Sequence, residues 1–273
     1  MSMRRGGTRA CAAIMVATSV FAVGCGTTPS TSVVALVDLS GSIQPATVTF
    51  YGEALTKDVW KQLDARDRLT VLPIDSEAEA KSEAIFAEDL STKSFSIPSK
   101  DGFAHREERE HERLVSFMSD TAPRLSVAIA DAAAKRLAFK NQTDLIGALF
   151  AAANSFPVGS AGPRILLVFS DMIQETSELD FKVLARMGEA GVDRLIADVA
   201  KRNRIPRLDH TTVVAIGAGE TGASAGNNAA YYRAVRLFWI KYFERAGAML
   251  TERNYGYRVQ DRIPELLHPQ SPR

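Results

Sequence analysis

Asp38, Ser40 and Ser42 stand at alternate positions around Gly41, directly after the unbroken apolar run Val33–Val37. One carboxylate and two hydroxyls so placed suit a hard divalent cation, because Mg²⁺ takes oxygen ligands and keeps several of its waters. Two further positions could join them. Thr143 precedes an apolar helical stretch in Asn-Gln-Thr-Asp-Leu-Ile-Gly, and Asp171 closes the apolar run from Arg164 to Ser170. Each also has a plainer reading. Ser42 or a neighbour could cap a helix, Thr143 could cap another, and Asp171 could be a strand-end carboxylate.

What separates these readings is the framework that would hold the five residues. Val33–Val37, Leu69–Ile74, Arg164–Ser170 and Thr211–Ile216 read as strands, three of them continuously apolar, as in the middle of a parallel sheet. Pro73 places the end of the second strand near Ile74. Ala84–Phe86 predicts a short edge strand, and Met249–Thr251 or Tyr255–Val259 a final one. Helical spacing covers Pro45–Leu63, His105 to about Lys140 with a break near Pro123, Leu145–Phe156, Phe181–Arg202 with weak points at Gly188 and Gly191, and Tyr231–Ala246. Ser91–Gly102 and Gly217–Asn228 read as loops, and Pro264–Arg273 as a loose tail. Strands alternating with helices predict a single α/β domain with a doubly wound, mostly parallel sheet. In such a sheet ligands bind beyond the carboxyl ends of the strands. Asp38, Ser40, Ser42 and Asp171 would then share one edge.

With those residues in that order, the chain resembles the von Willebrand factor type A (vWA) domain and its metal-ion-dependent adhesion site (MIDAS). The family pattern is Asp-x-Ser-x-Ser after the first strand, a Thr opening a later helix, and an Asp after the fourth strand. Here Asp38, Ser40, Ser42, Thr143 and Asp171 match it. The resemblance implies a three-layer, Rossmann-type fold over about residues 33–262, with an insertion at about 77–113. It also implies a bound Mg²⁺ or Mn²⁺, with Ser40, Ser42 and Thr143 as direct ligands and Asp38 and Asp171 holding coordinating waters. A partner protein would complete the metal's shell with an acidic side chain. Asp171 is followed by Met172 where the family commonly has Gly.

The first 24 residues are a separate matter. Arg4, Arg5 and Arg9 precede an apolar stretch, Ala10–Val23, too short for a membrane-spanning helix of ~20 residues and suited to a secretory signal. Its end, Ala22-Val23-Gly24-Cys25, resembles the lipobox of bacterial lipoproteins. That resemblance implies a lipidated Cys25 at the mature N-terminus, a short tether over residues 25–32, and a place in the cell envelope on the periplasmic or surface side. The other cysteine, Cys11, lies in the removable segment, so the mature domain would have no disulfide and would depend on its core. At 273 residues, 46% hydrophobic and 24% charged, the chain can build one. Losing three arginines and no acid would turn the formal net charge of +1 into −2. Such a balance leaves no general footprint for nucleic acid, whose phosphates dominate affinity.

Two weaker motifs carry less. Glu108 and His111 have Glu-x-x-His spacing but no second such pair, so His105–Arg113 reads as a solvated charged face. The Gly217–Gly226 segment lacks the Gly-Lys-Ser/Thr ending of a phosphate cradle. Together these signs point to a lipid-anchored, metal-dependent binding module and not an enzyme. The alternatives are a metal-dependent phosphoester hydrolase, against which stands the lack of a nucleophile-and-base set, and a metal-stabilised envelope scaffold.

Overall fold

The computed structural model describes residues 30–41, 43–75, 83–95, 106–136, 142–159, 161–219 and 225–267. Ser42, Cys25 and the first 24 residues, read above as a secretory signal, therefore lie outside the described residues.

The strands are β1 (Ser32–Asp38), β2 (Arg68–Ile74), β3 (Phe86–Asp89), β4 (Arg164–Phe169), β5 (Thr211–Ile216) and β6 (Met249–Gly256). They form one sheet in the order β3-β2-β1-β4-β5-β6, with β3 antiparallel and the rest parallel. All seven residues of β1 are buried, as its continuous apolar run requires for a strand covered on both faces. Alternate side chains feed two cores. Val34, Leu36, Leu166 and Val168 face α3 (Leu145–Ser155), α4 (Lys182–Met187), α5 (Val192–Lys201) and α6 (Ala225–Arg245). Val33, Ala35, Leu167 and Phe169 face α1 (Pro45–Ala54), α2 (Arg106–Arg136) and α7 (Ile263–Leu267). This is the doubly wound, three-layer α/β architecture predicted from the alternation of elements.

Several details differ from the sequence reading. Helix α2 runs through Pro123, where a break is predicted. An internal proline costs about 3 kcal/mol. Yet Leu114, Met118, Leu125 and Ile129 are all buried on one stripe of α2, and each such side chain contributes roughly 1.5–3 kcal/mol. Burial wins. The short edge strand begins at Phe86, two residues later than predicted. The last strand, β6, covers the first candidate and only the start of the second, Tyr255 and Gly256, with a register irregularity opposite Val213–Ala215. The tail is not loose throughout, since Ile263 and Leu267 anchor a helical turn in the second core. Helix α6 starts at Ala225, inside the segment read as a loop. Gly188, with φ 57°, does end α4 as its sequence suggests.

Candidate functional site

The parallel register carries Asp38 to the carboxyl edge, where Val37 pairs with Phe169 and Phe169 with Ile216. Asp38, the last residue of β1, therefore meets Ser170, which follows β4. Asp38 is fully buried. Its Oδ1 accepts the Ser40 backbone N–H at 3.0 Å, its Oδ2 accepts the Ser170 hydroxyl at 2.7 Å, and the Ser40 hydroxyl donates to it as well. Despite these donors, burial pushes its carboxyl above the usual range, and the nearby Glu175 adds to the effect. Asp171 is partly buried, and its Oδ1 accepts the Ile173 N–H at 2.9 Å. Burial first, and Asp38 next, push it up to about 7. Among the described residues neither carboxylate forms an ion pair.

Thr143 is buried and joins the same edge through a two-bond bridge, giving its N–H to the Glu175 carbonyl and accepting the Glu175 N–H, both at 3.0 Å. It is not the helix cap. Asp144 caps α3, accepting the Gly147 N–H at 2.9 Å. Nor does α1 begin on a capping serine: its N-cap is Gln44, without a side-chain bond, and Pro45 opens the helix. Both capping alternatives therefore fail for the residues described. Ser40 is hydrogen-bonded to Asp38, the Asp38 charge reaches Asp171, and Thr143 is linked to this edge through Glu175, while Ser42 lies outside the described residues.

Sequence reasoning missed four supports. Ser170 was legible only as the strand residue before Asp171. Its hydroxyl also accepts the Met172 N–H at 3.0 Å, so it links the two carboxylate-bearing turns. Gln174, fully buried, accepts the Ile146 N–H at 3.1 Å and donates to Asp144 at 3.2 Å, fastening the Asp171 loop to α3. Glu175 carries no motif at all. Tyr51 packs edge-on against Phe169, and a Cβ on Gly217 (φ 87°) would stand 2.3 Å from its hydroxyl, which is why glycine follows β5. Nearby, a cavity of about 230 Å³ lies between α3, α4 and α5, lined by Ile146, Leu179, Val183 and Leu195, and does not contain the carboxylate pair.

Met172 takes a left-handed conformation, φ 67°, with its side chain fully buried. A β-carbon there costs roughly 1–2 kcal/mol. Met172→Gly would remove that strain but also a buried side chain worth about 2–5 kcal/mol. A net loss of about 2 kcal/mol in urea unfolding is expected; a gain in stability would show that strain governs this turn.

The charged segment of α2 behaves as predicted, with Arg106 paired to Glu110 at 2.9 Å. On α6 the predicted core residues Val235, Phe238, Trp239, Tyr242 and Phe243 are buried. Its basic side chains meet acids of the same fold: Arg233 pairs with Glu189, and Lys241 with Asp193. Among the described residues no helix is long and apolar enough to cross a membrane.

No protein-family model and no curated protein sequence matches the chain. Solved structures do resemble it at a distance. One is proximal thread matrix protein 1 from the mussel byssus, solved with zinc in its MIDAS motif: 14% identity, 89% of this chain and 47% of that one, TM-score 0.35. Another is an aerotolerance-related membrane protein from Bacteroides fragilis: 12% identity, 88% and 99% of the two chains, TM-score 0.39. A third is manganese-loaded TRAP from Plasmodium vivax: 11% identity, 88% and 73%, TM-score 0.35. The chain spans about half the length of the mussel protein.

Proposed function

We propose that the chain is a lipid-anchored, extracytoplasmic binding module that engages a partner protein through a divalent cation, Mg²⁺ or Mn²⁺. The observation that carries this reading is the carboxylate pair: Asp38 is fully buried, its charge helps raise the affinity of Asp171 for a proton, Glu175 adds to the effect on both, and no described residue forms an ion pair with either. A dication offsets that repulsion, and the oxygen-only donor set fits a hard ion. Asp38, Ser40, Thr143 and Asp171, with Ser42 from the sequence pattern, would hold it. When bound, the ion supplies an electrophilic centre for a partner's Asp or Glu. Ser170 and Gln174 keep the carboxylate turns in place. The hydrolase reading is less well supported, because two-metal hydrolysis needs a cluster of ligands. Among the described residues no three His, Cys, Asp or Glu converge as one.

The first described residues and Asp38 lie at opposite ends of β1. Thr31 is tied by its N–H to Asp67 at 2.7 Å at the amino edge, and Asp38 sits at the carboxyl edge. At about 3.3 Å per residue, seven residues set them roughly 20 Å apart. An anchor at Cys25 would thus point the proposed metal away from the bilayer. Two measurements test this. Cross-linking and pulldown from membranes should recover a partner with Mg²⁺ and lose it with EDTA; recovery in both conditions would favour a scaffold. Cys25→Ser should move the protein to the soluble fraction, and continued membrane attachment would refute the lipid anchor.

A further inference from the structure

The chain has six tyrosines, and five of them gather at the edge that carries the carboxylate pair. Tyr231 and Tyr232, early in α6, hold their rings 5.2 Å apart. Tyr255 is placed by its pairing with Ala215, near the end of β5. Tyr257 accepts the Gly217 N–H on its carbonyl at 3.2 Å, and Phe50 stacks on its ring at 5.8 Å. Tyr51 lies beneath them against Phe169. Burial first, and then the Asp171 carboxylate, hold the Tyr231 and Tyr255 phenols above their ordinary range, which places both rings near that carboxylate. Tyr242 alone sits elsewhere, donating to the Arg204 carbonyl.

On the Glu175 side of these rings the charges are arranged against a second acid. Glu175 and Asp180 share Lys182, at 3.3 and 3.4 Å, so that cation is already engaged. The Arg258 guanidinium lies over the Phe50 and Tyr257 rings, at 6.0 and 5.9 Å. Tyrosine rings offer rigid, amphipathic contact area at small entropic cost.

We propose that the tyrosines form a recognition collar around the metal position, selecting an extended partner segment with a single Asp or Glu flanked by apolar or aromatic residues. This rests on the metal reading above. A run of acids would meet Glu175 and Asp180, whereas apolar flanks meet the rings.

The test uses the purified full chain with Mg²⁺ and three blocked tripeptides: acetyl-Phe-Asp-Phe-amide, acetyl-Gly-Asp-Gly-amide and acetyl-Asp-Asp-Asp-amide. Titration calorimetry reads Mg²⁺ binding, and NMR line broadening reads the peptides. The aromatic-flanked peptide should bind at least ~5-fold tighter than the glycine one, as two modest ring contacts imply. Tyr232→Ala or Tyr257→Ala should remove that advantage and leave Mg²⁺ affinity within ~2-fold, while Tyr257→Phe, which keeps the ring, should preserve it. Equal binding of the first two peptides, or tighter binding of the triacid, with Mg²⁺ binding intact, would overturn the collar alone. Absence of any Mg²⁺ heat would overturn the metal reading and the collar with it.

Discussion

Asp38→Asn is expected to make the metal-free protein more stable while destroying its affinity for a cation. The asparagine keeps one oxygen for the Ser40 N–H, and the Ser170 hydroxyl can rotate to accept from the new amide. What disappears is a fully buried charge beside Asp171. The sign follows from linkage. A carboxyl whose pKa is raised on folding stabilises the fold below its unfolded value, and that contribution is lost as pH rises through the folded value. Asp171 titrates near 7, so wild type in EDTA should lose stability between about pH 4 and pH 7. At pH 7.5 in EDTA, Asp38→Asn should melt at least ~4 °C above wild type, a change of roughly 1–2 kcal/mol for a domain of this size. At pH 4 the gap should nearly close. Mg²⁺ should raise the wild-type melting temperature at pH 7.5 and leave the variant unmoved. In calorimetry the variant should bind Mg²⁺ at least ~100-fold more weakly, since a charged partner of a dication is lost. A variant less stable than wild type at pH 7.5 in EDTA would mean that the Asp38 hydrogen bonds outweigh its repulsion.

The second large effect is expected far from any charge. Trp239 is fully buried among the rings of Phe181, Phe238, Tyr242 and Phe243, with centroids 5.2 to 5.9 Å away. Its indole N–H donates to the Met172 carbonyl at 2.8 Å. Trp239→Ala removes that packing, at a cost of about 3–5 kcal/mol. It also strands a buried carbonyl, for a further ~1–3 kcal/mol. Trp239→Phe keeps most of the ring and isolates the second effect. Because Met172 adjoins Asp171 and holds a left-handed turn, the phenylalanine variant should stay folded in urea titration up to near-wild-type concentrations yet bind Mg²⁺ several-fold more weakly. Unchanged Mg²⁺ affinity in Trp239→Phe would show that the turn is held by Ser170 and Gln174 alone.

Much of the framework is legible in the chain because β1, β4 and β5 are short, almost purely apolar runs ending in polar residues. A strand covered on both faces has no other way to be written. The helices of the α6 layer announce themselves through aromatic spacing. Pro123 misleads because the penalty it carries is local, while the burial that overrides it depends on what α2 packs against. The edge strands blur for the opposite reason: β3 and β6 are half-exposed and mixed in composition, so their limits depend on their neighbours.

Taken alone, the sequence determined the doubly wound α/β class, the carboxyl-edge placement of Asp38 and Asp171, and the candidacy of Ser40, Ser42 and Thr143. These are matters of order and periodicity along one dimension. Only the tertiary structure decided that Ser170 binds Asp38 across 132 positions of sequence, that Glu175 bridges Thr143, and that Asp144 and not Thr143 caps α3. It also decided that tyrosines from three separate stretches lie toward the same edge. The physical reason is common to all of them. Parallel strands bring their carboxyl ends together only through crossover connections, so residues far apart in the chain become neighbours through the register of the sheet, which no local pattern records.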